Sequence, residues 1–343
     1  MLKQQRWVRN AKILAAGAFI LAILVLAEGV STSFAEAREF RIALVLDKGG
    51  KDDKSFNSAA FQGSTQAKSE LKAFLKYVEA TDDNSFEPML RAFAQKDFDL
   101  ILSIGVTQKE ALKKVAAQFP RQLFAIVDAE VNAPNVSSLL FEEHEGSYLM
   151  GAAAALATQT GKIGFIGGMD IPLIRRFQLG FDAGAKKISP SVKVTSNFIG
   201  ITGDAWNNPA KAKELAVSQF DSGVDVIFSP SGASTSGVFD AAEERQKFAI
   251  GVDSNQNWVK PGRILTSMLK RVDKAVYQTC LEASQNKFVA GVKRFGLANE
   301  GVDFSVDQYN EKILTVSMRK KLSELKAQIV SGKIKVPDYY SKK

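Results

Sequence analysis

Several acidic, amide and aromatic side chains of this chain follow directly after apolar runs. The run RIALVLD ends at Asp47 and leads into GGKDDKSFNSAAFQG, residues 49–63. Carboxylates accept hydrogen bonds from hydroxyl groups, and a phenylalanine face stacks on a flat ring with about 1–3 kcal/mol per contact. These residue types together predict binding of a polar, partly aromatic small molecule. The further members of this set, at the ends of other apolar runs or in the helix after one, are Asp128, Phe177, Gly232, Asp253 and Lys270.

Each of these residues also has a purely structural interpretation. Ser55 can cap the helix that follows it, and Asp53 can favour the positive end of that helix. The phenylalanines can be core residues, and the two aspartates that follow strands can be turn residues. Glycines 49 and 50 can serve a tight turn, and the GxxxxGK[ST] spacing of a phosphate-binding loop is absent. The shared position of the polar residues after strands favours the binding interpretation.

Short β-like runs alternate with helical patterns along most of the chain. The first runs begin at residues 41, 74, 100, 123 and 136, and the pattern starts again at GKIGFIGGMD, residues 161–170. Branched runs that are apolar on both faces are typical of parallel strands, and strand–helix alternation produces right-handed βαβ units. The sequence therefore predicts an α/β fold with two doubly wound sheets, and if two lobes face each other with their strand ends inward, these ends line a shared cleft.

The chain is expected to cross between the two lobes three times, near Glu142, Ser254 and Gly291. These crossings assign residues 40–142 and 254–290 to an N-terminal lobe, and residues 143–253 and 291–325 to a C-terminal lobe. The last of these segments has too few elements for a third domain, so it is expected to complete the two sheets. Residues 326–343 form a C-terminal tail, and the basic stretch leading into it is interpreted as the solvated face of a terminal helix.

The first 35 residues have the three-part order of an export signal. MLKQQRWVRNAK carries four basic residues and no acid, ILAAGAFILAILVLA is apolar, and small Ser33 and Ala35 precede a cleavage point after Ala35. A membrane anchor is disfavoured because a spanning helix needs about 20 apolar residues. No cysteine lies near the cleavage point, so we expect a free periplasmic protein and not a lipoprotein.

Composition excludes several other kinds of site. The single cysteine, Cys280, allows no disulfide within the chain, and the single histidine, His144, is too little for a zinc site or a Ser-His-Asp triad. The formal net charge is +8, but the basic residues are scattered without interleaved aromatics, so a nucleic-acid surface is not expected. We expect neither a metal nor a cofactor.

The segment GGKDDKSFNSAAFQG resembles the signature of the basic membrane protein family, whose substrate-binding proteins include PnrA-like purine nucleoside receptors of bacteria. GFIGGMDIPLIRRFQLGFDAG, IGVDSNQ and LTSMLKRVDKAVY resemble later landmarks of that family in the same order, so the resemblance covers roughly residues 40–320. It implies a type I periplasmic-binding-protein fold, in which two Rossmann-like lobes close on a nucleoside and deliver it to an ABC importer. The residues that match by position are Asp53, Phe56, Asn57, Phe61, Asp128, Phe177, Gly232, Asp253 and Lys270.

In such receptors the base stacks between aromatic side chains, while acids and a lysine hold the ribose. The resemblance thus implies a nucleoside ligand and an ABC permease as partners, and we expect a monomer. Two departures stand out: the lipidated cysteine of many relatives is absent, and FSPSGAST replaces a more glycine-rich turn, adding hydroxyls that bear on base preference. A receptor of the same fold that hands its ligand to a membrane signalling protein stays open as an alternative. A periplasmic nucleosidase is disfavoured, because no motif beyond the acids supports it.

Overall fold

The structure, a computed structural model, describes residues 38–342 of the chain. The expected export signal and its cleavage point after Ala35 lie outside the described residues. None of the helices in the described part combines the length and the apolar character that crossing a membrane requires.

Twelve strands form two six-stranded sheets in the described part of the chain. In chain order they are β1 (Arg41–Leu46), β2 (Phe74–Glu79), β3 (Leu100–Ile104), β4 (Leu123–Val127), β5 (Val136–Phe141), β6 (Lys162–Met169), β7 (Lys193–Gly200), β8 (Val226–Phe228), β9 (Phe248–Asp253), β10 (Ile264–Lys270), β11 (Gly291–Phe295) and β12 (Val302–Phe304). The first sheet has the order β11-β5-β4-β3-β1-β2, and the second has the order β12-β10-β9-β8-β6-β7. Every pairing is parallel except the one between β10 and β12.

Nine α-helices in the described residues cover both faces of these sheets. They are α1 (Phe56–Glu70), α2 (Phe86–Ala94), α3 (Lys109–Gln118), α4 (Glu143–Ala157), α5 (Pro172–Ile188), α6 (Pro209–Asp221), α7 (Thr235–Glu244), α8 (Val272–Ser284) and α9 (Val316–Val330). Helix α1 packs on α8, α2 on α3, α4 on α5, and α6 on α7. We call the first sheet with α1, α2, α3 and α8 the first lobe, and the second sheet with the other helices the second lobe.

The apolar runs become strands because both of their faces are buried. Residues 42–46 of β1 and all of β3 are fully covered, as parallel strands between two helical layers require. The α/β class and the two-lobed fold predicted from the alternating pattern are confirmed.

The last strands join the sheets differently from the expected lobe assignment. β10 pairs with β9 in the second sheet, and β11 pairs with β5 in the first sheet. This pairing contradicts the expected placement of residues 264–270 and 291–295. The chain does pass between the sheets three times, after Phe141, Lys270 and Phe295, each of which ends a strand. The chain crosses after these strands because their carboxyl ends face the other lobe. After β9, by contrast, residues 254–263 contain no helix and return the chain to the same sheet, so no crossing occurs near Ser254.

Helices α4 and α5 approach each other so closely that only glycine fits at the contact. A Cβ atom added at Gly184 would collide with the carbonyl oxygen of Tyr148, and one at Gly151 would collide with that of Phe181. Both obstacles are backbone atoms, which cannot move aside like the end of a flexible side chain. The two helices therefore form a rigid pair behind the second sheet.

We predict that Gly184→Ala lowers the free energy of unfolding by about 1–3 kcal/mol, because overpacking outweighs the better helix propensity of alanine. Urea denaturation measures this difference. Gly200→Ala is the matched control, since its Cβ would meet only the Cβ of Ala205 at 3.5 Å, and it should change stability by about 0.5 kcal/mol or less. Equal stability of the Gly184→Ala protein and the wild type would show that the helices can separate freely.

Candidate functional site

A cavity lies between the carboxyl ends of the two sheets. Its empty volume is about 590 Å³, counting space open to solvent, which is within the range of about 300–1,000 Å³ for small-molecule sites. The predicted site residues that line it are Asp47, Asp53, Phe56, Asn57, Asp128, Phe177, Gly232, Asp253 and Lys270. The structure thus brings together nine of the ten predicted residues.

Phe61 is not among the described residues that line the cavity, in contrast to its predicted role. It lies on α1 five residues after Phe56, and a helix turns about 100° per residue, so the two side chains point about 140° apart. The ring of Phe61 packs edge-to-face against Tyr77 on β2, with centroids 5.0 Å apart. Phe61 is therefore a packing residue of the first lobe.

Three aromatic rings line the cavity from the two lobes. Phe56 comes from the start of α1, Phe177 from α5, and Trp206 from the short turn at residues 203–207 that follows β7. The indole of Trp206 packs over Gly168, where a Cβ atom would collide with the ring. Sequence reasoning missed Trp206, although a tryptophan in a segment that follows a predicted strand was a visible signal.

Asp53 organises the wall that α1 contributes to the cavity. Its Oδ1 accepts hydrogen bonds from the backbone N–H of Ser55 (2.8 Å) and Ser58 (2.9 Å), and its Oδ2 accepts from the backbone N–H of Asn57 (2.9 Å). Asp53 therefore caps the helix N-terminus, a role that the sequence also allowed, while Ser55 makes no capping bond of its own. The side-chain amide of Asn57 donates to Asp53 (3.0 Å) and accepts from the backbone N–H of Asp47 (2.9 Å). One N–H of that amide remains for another partner.

The strand-end aspartates Asp128 and Asp253 share an unusual backbone conformation. Their φ angles are 69° and 65°, in the left-handed region that residues other than glycine seldom adopt. Such conformations cluster at functional sites, where the surrounding structure holds them. The hydroxyl of Ser55, in the first lobe, donates to Oδ2 of Asp253 at 2.5 Å, so the two lobes are joined at this point.

The ammonium of Lys270 is buried among carboxylates at the end of β10. Its Nζ lies 2.6 Å from Oδ2 of Asp128 and 3.2 Å from Oε1 of Glu143, and the side chain is only 2% exposed. It also lies 5.2 Å from the ring centroid of Phe56 and 5.7 Å from that of Phe177. Oδ1 of Asp128 is buried without a hydrogen-bond partner among the described residues. An ammonium has three N–H donors, so one remains for a ligand beside this free acceptor.

Burial and charge act in opposite directions on these groups. Burial raises the pKa of Asp253 to about 6, although the nearby ammonium of Lys270 works against this rise. Burial likewise raises the pKa of Asp128. Burial alone would lower the pKa of Lys270, but the carboxylates of Asp128, Glu143 and Asp253 outweigh it and raise that pKa. Lys270 is therefore protonated at neutral pH.

The hydroxyls of the FSPSGAST segment do not reach the cavity. Ser229 and Ser231 are completely buried, and their hydroxyl oxygens lie 2.9 Å apart. The hydroxyl of Thr235 donates to the backbone carbonyl of Ser229 at 2.9 Å. The segment lines the cavity with Pro230, Gly232 and Ala233 instead, so its contribution there is apolar.

Lys48 joins the two lobes at the rim of the cavity, one residue after Asp47. Its Nζ lies 3.1 Å from Oδ1 of Asp83 in the first lobe and 3.0 Å from Oδ1 of Asp204 in the second. β1 and β7, which precede Lys48 and Asp204, lie far from the crossing strands β5, β10 and β11 in the strand orders of both sheets. We call this three-residue arrangement the rim ion pair.

Comparison with known proteins identifies the family. Residues 40–339 match the family described as "ABC transporter substrate-binding protein PnrA-like". The chain belongs to this family of substrate-binding proteins. The resemblance of the DDKSFN segment and the later landmarks is thereby confirmed. The family binds substrates for ABC transporters, and such a protein works with a membrane permease.

Individual relatives agree with this assignment. The "ABC transporter nucleoside-binding protein BmpA" of Lactococcus lactis is 31% identical over 95% of this chain and 99% of its own. An "Uncharacterized lipoprotein" of Pyrococcus abyssi is 32% identical over 78% of this chain and 70% of its own. A crystal structure of an ABC transporter solute-binding protein from Aeropyrum pernix has a TM-score of 0.80 at 28% identity, covering 88% of this chain and 96% of the other.

We predict that Asp253→Asn stabilises the empty protein at pH 8 but not at pH 4. Burial raises the pKa of this carboxyl from 3.8 to about 6, so deprotonation between these values favours the unfolded chain. The cost of the charge is absent below about pH 4 and complete above about pH 7. Thermal unfolding of both proteins at the two pH values measures the effect.

Asp221→Asn is the control for this prediction. Asp221 is an exposed aspartate whose pKa is lowered by its hydrogen bonds with Arg245. Its replacement should therefore give no stabilisation at pH 8. A gain for Asp253→Asn that is equal at both pH values would mean that the buried charge is not its source.

Proposed function

We propose that this protein is the nucleoside-binding component of an ABC importer and that it closes its lobes on a purine nucleoside. The observation that carries the proposal is the cavity itself, in which aromatic rings from both lobes lie beside a buried lysine and the unpaired Oδ1 of Asp128. The name of the Lactococcus lactis relative, a nucleoside-binding protein, supports the same ligand class.

The aromatic part of the cavity suits a flat base. Phe56 from the first lobe and Phe177 and Trp206 from the second line it, together with apolar Leu173 and Ile174. Stacking on such rings contributes about 1–3 kcal/mol per contact. Because the rings come from both lobes, a base that lies between them favours the closed arrangement.

The polar part of the cavity suits the hydroxyls of a ribose. Asp253 and Oδ1 of Asp128 can accept hydrogen bonds, while the remaining N–H of Lys270 and that of Asn57 can donate them. A ligand without these hydroxyls would leave the buried groups unpaired, at a cost of about 1–3 kcal/mol each. The site therefore favours a nucleoside over a free base.

We further propose that the protein acts outside the cytoplasm as a monomer, after export by its N-terminal signal. No cysteine lies near Ala35 to carry a lipid, whereas the Pyrococcus abyssi relative is named a lipoprotein. The role is binding and delivery, in keeping with a family of substrate-binding proteins.

The direct test is to release bound molecules from the purified protein by denaturation and identify them by mass spectrometry, followed by calorimetry with adenosine, inosine and guanosine. We expect a nucleoside to bind, ribose or free base to bind much more weakly, and Asp253→Asn to lose about 100-fold in affinity through lost charged hydrogen bonds. Trp206→Ala should lose about tenfold. Phe61→Ala is the aromatic control and should keep wild-type affinity. A bound sugar or peptide, or no binding of any nucleoside, would refute the proposal.

The rim ion pair predicts a second, kinetic result. Lys48→Met should raise the nucleoside dissociation rate about twofold to fivefold with little change in association, because an ion pair across the lobes is present only when they are closed. Stopped-flow fluorescence with excess unlabelled ligand measures this rate. Lys51→Met is the matched control, since Lys51 pairs with Asp52 in its own lobe, and should behave like wild type. Equal rates for the two variants would exclude a role of Lys48 in holding the lobes closed.

A further inference from the structure

Arg176 is the centre of a buried ionic cluster beside the ligand cavity. It lies on α5 next to Phe177, and its side chain is 2% exposed. All five N–H donors of its guanidinium are used: two on the carboxylate of Asp338 (2.7 and 2.9 Å), one on Oε2 of Glu143 (2.7 Å), one on Glu142 and one on the carbonyl oxygen of Phe141. A guanidinium with every donor paired is fixed in orientation.

Glu143 connects this cluster to the cavity. Its Oε2 accepts from Arg176, and its Oε1 lies 3.2 Å from Nζ of Lys270, so a single carboxylate holds both cations. Lys270 in turn holds Asp128, which lines the cavity. An unbroken series of ion pairs therefore runs from Asp338 through Arg176, Glu143 and Lys270 to Asp128.

The outer end of this series belongs to the segment after α9. Residues Ile334 and Val336 of this segment pack against the core, Asp338 pairs with Arg176, and the ring of Tyr340 lies 5.2 Å from the guanidinium carbon of Arg176. We call residues 331–341 the C-terminal strap. The terminal helix exposes its basic residues as expected, whereas the strap that follows it packs against the protein through polar and apolar side chains.

The same acidic groups do not form a metal site. Carboxylate oxygens of Glu142 and Asp338 and a ring nitrogen of His144 lie within 4.8 Å of one another. The guanidinium of Arg176 already pairs with both carboxylates, so a positive charge occupies the position that a cation would take.

We propose that Asp338 of the C-terminal strap is a positioning residue for the ligand site, which fixes Lys270 through Arg176 and Glu143. For its effect on affinity, the inference rests on the proposed nucleoside-binding function. Loss of the Asp338 carboxylate leaves two buried guanidinium donors unpaired, so Arg176 competes for both oxygens of Glu143. Lys270 then loses one of its two carboxylate partners and is free to move.

Pulse acetylation of the ligand-free protein with an amine reagent, read by peptide mass spectrometry, tests the inference without any nucleoside. Lys270 should be almost unreactive in the wild type, and Asp338→Asn should raise its labelling at least about threefold relative to Lys113, an exposed lysine outside the strap. Alkylation of the fully buried Cys280 reports general loosening and should stay unchanged. Asp221→Asn, which breaks the exposed pair with Arg245, is the matched control and should leave Lys270 protected.

Asp338→Glu keeps the negative charge but displaces it, so the labelling of Lys270 should be intermediate in this variant. If the Asp338→Asn protein does not fold, Asp338→Glu provides the test. Adenosine and inosine affinity of Asp338→Asn should fall about threefold to tenfold. Wild-type protein that binds no nucleoside refutes the proposed function but leaves the labelling result decisive for Asp338. Unchanged labelling of Lys270 in Asp338→Asn, or an equal rise at Cys280, overturns the inference whatever the affinity.

Discussion

The burial of one ammonium group constrains the rest of this structure. A buried charge is tolerated only with paired partners, and removing a partner costs about 3–5 kcal/mol. Lys270 meets this requirement with Asp128 from the first lobe and Glu143 from the start of α4. Three separate parts of the chain must therefore converge at one point, and that point lies where the chain crosses between the lobes.

Several residues at the site hold the fold and shape the cavity at the same time. Asp53 caps α1 and also orients the side chain of Asn57, so the same carboxylate fixes both the start of the helix and a polar group that lines the cavity. Gly168 admits the ring of Trp206. Substitutions at these positions would therefore change the shape of the cavity through the backbone.

The sequence predicted the parts of the site that follow from local order and could not predict those that depend on distant pairing. Residues at the carboxyl ends of strands, such as Asp128 and Asp253, could be found because these ends of parallel strands lie at one edge of a sheet. The prediction for Phe61 is wrong because the helix turns its ring about 140° away from that of Phe56, towards Tyr77. Arg176 and Glu143 gave no local signal, since their partners lie up to 162 positions away along the chain. The chain order likewise does not show which sheet β10 and β11 join, because this depends on which strand is left open for pairing beside them.

The position of Lys270 also determines the order in which a ligand is enclosed. It ends β10 directly before a crossing, whereas Trp206 follows β7, four strands away in the same sheet. At about 4.8 Å per strand this is a lever arm of roughly 19 Å, so a hinge rotation moves the indole much farther than the ammonium. The side of the cavity beside Trp206 would thus open widest, while Lys270 stays close to its carboxylate partners Asp128 and Glu143.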